Sequence, residues 1–232
     1  MRHMPLMPSD DTNAKLRWEA GDLPVSERFD DPYYSRADGL AESRHVFLDG
    51  NALRNRLMTA SQPFHIAELG FGTGLNMVAS VALWQEIGCP VPLRLTSFEK
   101  YPLSAPQMER SLSRWPELAS IAQTLFDAWP SPEVRFGSST LEVIVGDISE
   151  TLPDWDATVD AWFLDGFAPS RNPQMWTEAV LENVGRCTAS QGTFATYSAA
   201  GAVRRRLQAV GFEVVKRPGF GSKREMLTGR KP

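Results

Sequence analysis

The sequence is poor in the residues that metal sites and disulfide frameworks need. It has two cysteines, Cys89 and Cys187, far apart, and three histidines, His3, His45 and His65, in no H-x-x-x-H spacing. Neither set fits a zinc or redox pattern, so no metal is expected, and a reducing, cytoplasmic compartment is the simplest setting. The start, MRHMPLMPSDDTNAK, lacks the apolar core of a signal peptide. The uncharged run from Leu69 to Gln85 is broken by Gly, Thr, Asn and Ser and is too short to span a bilayer, so no membrane partner is expected. Net charge is −4, which excludes a protein acting as a bulk polycation. No P-loop lysine followed by Ser or Thr is present after a glycine turn, which removes ordinary ATP and GTP chemistry.

What is present is enough for one α/β domain with an extension. The stretch from Phe64 to Asn76, FHIAELGFGTGLN, reads as a short apolar strand, an acidic residue, three glycines at alternate positions and a helix start. Gly70, Gly72 and Gly74 make a turn against which a ligand can lie, with free N–H groups at the helix start. The spacing E-x-G-x-G-x-G differs from the dinucleotide pattern G-x-G-x-x-G: the third glycine comes one residue early, and Glu68 stands two before the first. It resembles motif I of the class I S-adenosylmethionine-dependent methyltransferases. The alternative is a strand–helix turn with no ligand.

Around this loop the alternation of patterns predicts a Rossmann-like parallel sheet. Residues 1–15 read as a disordered tail, 16–62 as an N-terminal extension or lid, and 63–232 as the core. Helices are expected near Leu40 and from Asn51 to Met58. Strands are expected over 64–69, 93–100, 134–136, 141–145, 159–164 and 192–198. Helices are expected over 75–87, 104–127 with a break at Trp115-Pro116, 173–186 and 199–210. Residues 212–217 and 224–229 read as a C-terminal β-hairpin. Glu99, at the end of the second strand, suits the two hydroxyls of a ribose, because a carboxylate accepts both protons. Asp147 suits an adenine amino group or, alternatively, a helix cap for the ISETL segment that follows. Asp165 ends a near-continuous apolar strand, where ligands bind in open α/β sheets. From Arg204 onward basic residues dominate, a candidate nucleic-acid face or a solvated surface.

Four segments carry a more specific likeness: FDDPYYS, ELGFGTGLN, DAWFLDGFAPSRNPQMW and GFGSKREML. Together they resemble the tRNA 5-methylaminomethyl-2-thiouridine methyltransferase family, over about Trp18 to Gly229. In many bacteria this activity is fused to an FAD-dependent oxidase. The 232 residues hold no second glycine fingerprint for FAD, so the resemblance implies methylation alone, with an oxidase as a separate partner or a missing fused domain. It implies S-adenosylmethionine as cofactor, held by Glu68, Gly70, Phe71, Gly72, Thr73, Gly74 and Asn76 of the loop and by Glu99, Lys100, Asp147 and Asp165. It implies the tRNA anticodon stem-loop as substrate, with Arg205, Lys216, Lys223 and Arg224 meeting phosphates. Asp165 and Phe167 are the catalytic candidates, because the DGFAP turn resembles the D/N-P-P-Y turn of amine-directed methyltransferases. Asp165 either accepts the amine's proton or only holds the methionine amino group. Two other readings compete: a methyltransferase for a small-molecule amine, and a non-catalytic adaptor of the same fold.

Overall fold

The computed structural model describes residues 14–232. The expected disordered tail lies outside the described residues up to position 13. Ala14 and Lys15 already make backbone hydrogen bonds, the first donating to Pro102 O and the second accepting from Glu27 N.

The centre of the molecule is β4 (Phe64–Leu69), all six residues buried between two parallel neighbours. A strand covered on both faces reads as a continuous apolar run, and β4 departs from that only at His65 and Glu68. Each polar group is paired. The His65 ring nitrogens meet Thr158 O at 2.9 Å and Thr96 Oγ1 at 3.0 Å, and burial pushes its imidazole down to about 4, so it stays neutral. On one side of β4 lie β5 (Leu93–Glu99), β7 (Ser139–Val145) and β6 (Glu133–Phe136). On the other lie β8 (Val159–Leu164), β9 (Thr188–Thr196), β11 (Glu225–Arg230) and β10 (Glu213–Pro218). The strands β7, β5, β4, β8 and β9 run parallel; β6, β11 and β10 pair antiparallel. The chain builds outward from β4 through β5 to β7, then crosses back to β8. That reversal puts a topological switch point between β4 and β8, where open α/β sheets bind ligands.

The helices cover the sheet close to where the periodicity predicts, except that the helix expected over 173–186 is divided at the Thr177 cap into a 3-10 turn over Pro173–Trp176 and a helix from Glu178. Nine of the twelve residues of α3 (Leu75–Glu86) are buried, including Met77, Val81 and Trp84. The expected 104–127 helix is interrupted as Trp115-Pro116 requires: α4 (Ala105–Leu112) and α5 (Ala119–Ala128) flank a 3-10 turn at Pro116–Leu118. The short α6 (Ile148–Thr151) follows β7; α7 (Glu178–Cys187) and α8 (Gly201–Ala209) close the far side. Trp162, Phe163 and Phe194 are wholly enclosed, each contributing about 1.5–3 kcal/mol or more through apolar burial.

The N-terminal extension holds structure that sequence patterning misses. Strands β1 (Leu16–Glu19), β2 (Leu23–Ser26) and β3 (Asp31–Pro32) form a small antiparallel sheet. They are too short to show a period of two. Next come α1 (Gly39–Ser43), widening into a π-helical turn over Arg44–Asp49, and α2 (Leu53–Thr59). Leu23, Val25, Leu40 and Val46 belong to the same buried cluster as Ile66 and Met77. The extension is therefore packed on the sheet, and its contacts wall one side of the site.

Candidate active site

The carboxyl ends of β4, β5, β7, β8 and β9 open into one cavity of about 840 Å³, whose other wall is the N-terminal extension. It is lined among others by Gly70, Gly72, Asn76, Glu99, Asp147, Asp165 and Phe167, with Phe29, Tyr33 and Glu42 from the extension. Residues far apart in sequence meet there because successive parallel strands deliver their ends to one edge.

The glycine loop is held tightly. Gly70 N donates to Phe98 O at 2.9 Å, and its φ of +91° leads the chain under the Asp165 carbonyl. A side chain at Gly70 would come within 2.3 Å of that carbonyl oxygen, so only glycine lets the β4 and β8 ends approach. Gly72, at φ +53°, faces the Tyr33 ring, which a Cβ would meet at 3.0 Å. Phe71 is buried and stacks on Trp129, and Gly74 opens α3 against Phe71 and Leu125 rather than the cavity. Thr73 lines the cavity. Glu68 does not reach it. Its Oε1 accepts from Asn76 Nδ2 at 2.9 Å and its Oε2 from Ser97 Oγ at 2.7 Å, which places this carboxyl beneath the loop as a brace.

At one end of the cavity Glu99 Oε2 accepts from Gly72 N at 2.9 Å and Oε1 from Tyr101 N at 2.7 Å. The carboxylate lines the cavity, where it can also accept from a ligand hydroxyl. Burial raises the Glu99 carboxyl, and the backbone N–H groups of Gly72 and Tyr101 oppose that shift. Asp147 caps α6: its Oδ1 accepts from Ser149 N at 2.9 Å, while Oδ2 takes the Lys100 ammonium. The Lys100 hydrogen bond, with help from Ser149, holds Asp147 down to about 2. Asp147 is therefore both a helix cap and part of the cavity wall.

At the other end stands Asp165. Its Oδ2 accepts from Asn76 Nδ2 at 2.6 Å, so the Asn76 amide spans Asp165 and Glu68, while Asn76 Oδ1 accepts from Ser43 Oγ at 2.6 Å. Burial pushes the Asp165 carboxyl up to about 7; Asn76 and Lys223 oppose this, and the carboxylates of Glu42 and Asp31 reinforce it. Glu68 is raised too, by burial first and then by Asp165. Phe167 stacks on Phe29 at 4.7 Å and meets the edge of Tyr33 at 5.1 Å. One face of Phe167 is therefore already covered by the extension. Asp31 Oδ2 accepts from Ala168 N at 3.1 Å, clasping the same turn.

The basic residues are dispersed. Lys223 lines the cavity and donates to Glu42 Oε1 at 2.9 Å. Lys216 pairs with Glu225 across the hairpin, Arg205 is exposed on α8, and Arg224 is exposed next to Lys223; none of the three lines the cavity. Sequence reasoning missed Tyr33, Glu42, Ser43 and Tyr197. The FDDPYYS cluster signals the first, and nothing in the local sequence marks the others.

A glycine loop at the switch point, with a strand-end carboxylate on each side, defines a class I methyltransferase-type nucleoside site. The donor set fits S-adenosylmethionine: Glu99 offers lone pairs to a diol, Asp147 offers an acceptor to an amino group, and the glycines leave the backbone bare. A family model described as S-adenosyl-L-methionine-dependent methyltransferase matches residues 116–232, half of the chain. The chain belongs to this family of S-adenosyl-L-methionine-dependent methyltransferases. It is 43% identical, over 95% of its length, to the tRNA 5-methylaminomethyl-2-thiouridine biosynthesis bifunctional protein MnmC of Ectopseudomonas mendocina (strain ymp). It spans 35% of that relative's length. The crystal structure of MNMC2 from Aquifex aeolicus shares the fold, with a TM-score of 0.79 at 22% identity over 96% of this chain and 72% of that one. Among the described residues no helix is long and apolar enough to cross a membrane.

Proposed function

We propose that the protein N-methylates the aminomethyl group of 5-aminomethyl-2-thiouridine at the wobble position of tRNA, giving 5-methylaminomethyl-2-thiouridine, in the cytoplasm. The observation that carries this reading is the 43% identity across nearly the whole chain to a relative named for making that nucleoside. The site's chemistry supports it.

The cofactor supplies an electrophilic methyl group when bound. Gly70, Gly72, Thr73 and Asn76 would line its site, Glu99 would hold the ribose, and Asp147 with Lys100 would border the base. Glu68 and Gly74 would act through the loop's shape. The acceptor amine must be neutral to attack and must lose a proton, and a carboxyl near 7 is matched to that task at neutral pH. Asp165 would accept the proton, with Asn76 fixing its orientation. Phe167, backed by Phe29, would present its remaining face to the uracil. Arg205, Lys216 and Arg224 would meet phosphates of the anticodon stem-loop, positioning it without reading sequence. An FAD-dependent oxidase, fused or separate, would be a natural partner.

Bulk tRNA from a strain lacking the modification, incubated with labelled S-adenosylmethionine, tests the reading. Label is expected in 5-methylaminomethyl-2-thiouridine after nuclease digestion. Transfer to a free alkylamine with none to tRNA would instead assign a small-molecule substrate.

A further inference from the structure

The acceptor end contains a charged pair that the chemistry above does not use. Glu42, on α1, is buried. Its Oε2 accepts from Ser35 N at 2.8 Å and its Oε1 from Lys223 Nζ at 2.9 Å. The same ammonium stands 3.8 Å from the centroid of the Tyr197 ring. Tyr197 follows β9 and donates its hydroxyl to Gly166 O at 2.7 Å, so this box of one carboxylate and one aromatic face is fastened to the turn that carries Asp165. Both Glu42 and Lys223 act on the Asp165 carboxyl through charge, which puts box and base in one electrostatic field.

A carboxylate plus an aromatic face is a receptor for a primary ammonium group. Lysine's head is itself a primary alkylammonium. Its side chain is 41% exposed, so this pair is weak and exchangeable despite the burial of Glu42. The hairpin turn has its own closure, through Gly219 N to Arg224 O at 3.1 Å and Lys223 N to Phe220 O at 3.0 Å. Only the Lys223 side chain has to move for the box to open.

We propose that Glu42 and the face of Tyr197 form the subsite that receives the acceptor's primary ammonium group, and that Lys223 fills this subsite in the free protein and swings out when the acceptor enters. The inference rests on the reading of the acceptor as a primary amine. It gives this end of the cavity a reason to set the Glu42 carboxylate against the half-exposed Lys223 head. The incoming ammonium replaces the lysine charge for charge on entry; it becomes the neutral nucleophile by passing one proton to the Asp165 carboxylate, and methyl transfer then leaves the product as a secondary ammonium and the sulfide neutral. It also makes the site selective for a cationic, unbranched amine over a neutral hydroxyl or amide.

Methylammonium chloride is the probe, titrated by NMR into the full chain saturated with S-adenosylhomocysteine. Lys223→Ala should bind it about two- to five-fold more tightly than wild type, the range expected for releasing a half-exposed ion pair. Glu42→Gln should abolish binding; Glu42→Asp, which keeps the charge, should retain part of it and guards against a folding defect. The tRNA KM should fall by a similar factor in Lys223→Ala, with S-adenosylhomocysteine affinity unchanged. Equal methylammonium binding in wild type, Lys223→Ala and Glu42→Gln would overturn the proposal. So would a raised tRNA KM with a shallower salt dependence in Lys223→Ala, which would make Lys223 a phosphate ligand. The methylammonium titration contains no tRNA. If it behaves as expected while tRNA is not methylated, the acceptor reading falls and the subsite stands. If tRNA is methylated with the same KM in all variants and methylammonium binding does not change, the subsite falls and the acceptor reading stands.

Discussion

At the Glu99 end of the cavity, carboxylates are held largely by what lies next to them in the chain. Glu99 takes the N–H of Tyr101 and Asp147 takes that of Ser149, each two residues on, with Gly72 and Lys100 completing the set. At the Asp165 end, everything is distant in sequence. Asn76 comes from the glycine loop, Glu42 and Asp31 from the extension, and Lys223 from the hairpin. The first arrangement meets each carboxylate with neighbouring backbone donors, which at Glu99 oppose the rise that burial causes. The second crowds carboxyls with too few donors, so protons and cations can exchange there. On the proposed function, the first end would hold the cofactor and the second would take up the proton of the reaction.

The sharpest way to break this contrast is Asp165→Asn. An amide cannot accept the amine's proton, so kcat at saturating cofactor should fall by about 10²–10⁴-fold while S-adenosylhomocysteine affinity stays within a few-fold. A loss confined to cofactor affinity would move Asp165 to the holding end. In wild type, kcat should rise with pH through about 7 as Asp165 gives up its proton, and that limb should vanish in the variant.

Glu99→Ala should produce the opposite pattern. Loss of the carboxylate should weaken S-adenosylhomocysteine binding by about 1.5–3 kcal/mol, roughly 10- to 150-fold, as read by calorimetry. The tRNA KM should not move. Unchanged cofactor affinity in Glu99→Ala would remove the functional distinction between the two ends.

Stability against pH gives a smaller effect, to which Glu99, raised by burial, contributes in the same direction as Asp165 and Asp147 in the opposite one. The folded Asp165 carboxyl sits at about 7, above its ordinary 3.8, so the native state binds the extra proton. The associated stability is fully present below about pH 4 and is lost as pH rises through 7. Urea midpoints of wild type should therefore fall between pH 5 and pH 8, and those of Asp165→Asn should fall less. Glu68, raised in the same direction, is retained in the variant and keeps part of the slope. Asp147, held down to about 2, contributes the reverse: stability present above its unfolded value and lost only as acid brings the pH toward 2.

The smallest expected effect lies outside the cavity. Arg205→Glu should raise the tRNA KM modestly. It should also make the salt dependence of tRNA binding shallower, by about 0.7–0.9 log units for each phosphate the protein no longer neutralises. Cofactor affinity should be untouched. A wild-type salt slope in the variant would assign this exposed arginine to solvated surface.

The core sheet was legible in the chain because its signals are local. The apolar runs of β4 and β8, the breaks at proline and the glycine turn all act within a few residues. The small sheet β1–β2–β3 was not, since strands of four, four and two residues carry no period. The same division runs through the site. The place of Glu99, Asp147 and Asp165 in the cavity wall was readable because parallel strands bring their carboxyl ends to one edge of the sheet. Glu68 belongs to the motif by sequence, yet in the fold it turns under the loop to brace Asn76. Glu42 and Tyr197 look like an ordinary helix residue and an ordinary strand-end residue until they are seen around Lys223.

By itself, then, the sequence determined the order of elements, the glycine loop and the carboxylates at the strand ends, because hydrophobic period and backbone constraint are short-range. Tertiary structure decided the upward shift of the Asp165 carboxyl, the covered face of Phe167 and the inward turn of Lys223. Those depend on which distant groups are brought within a few ångströms in a low-dielectric cavity, and no spacing along the chain records that distance.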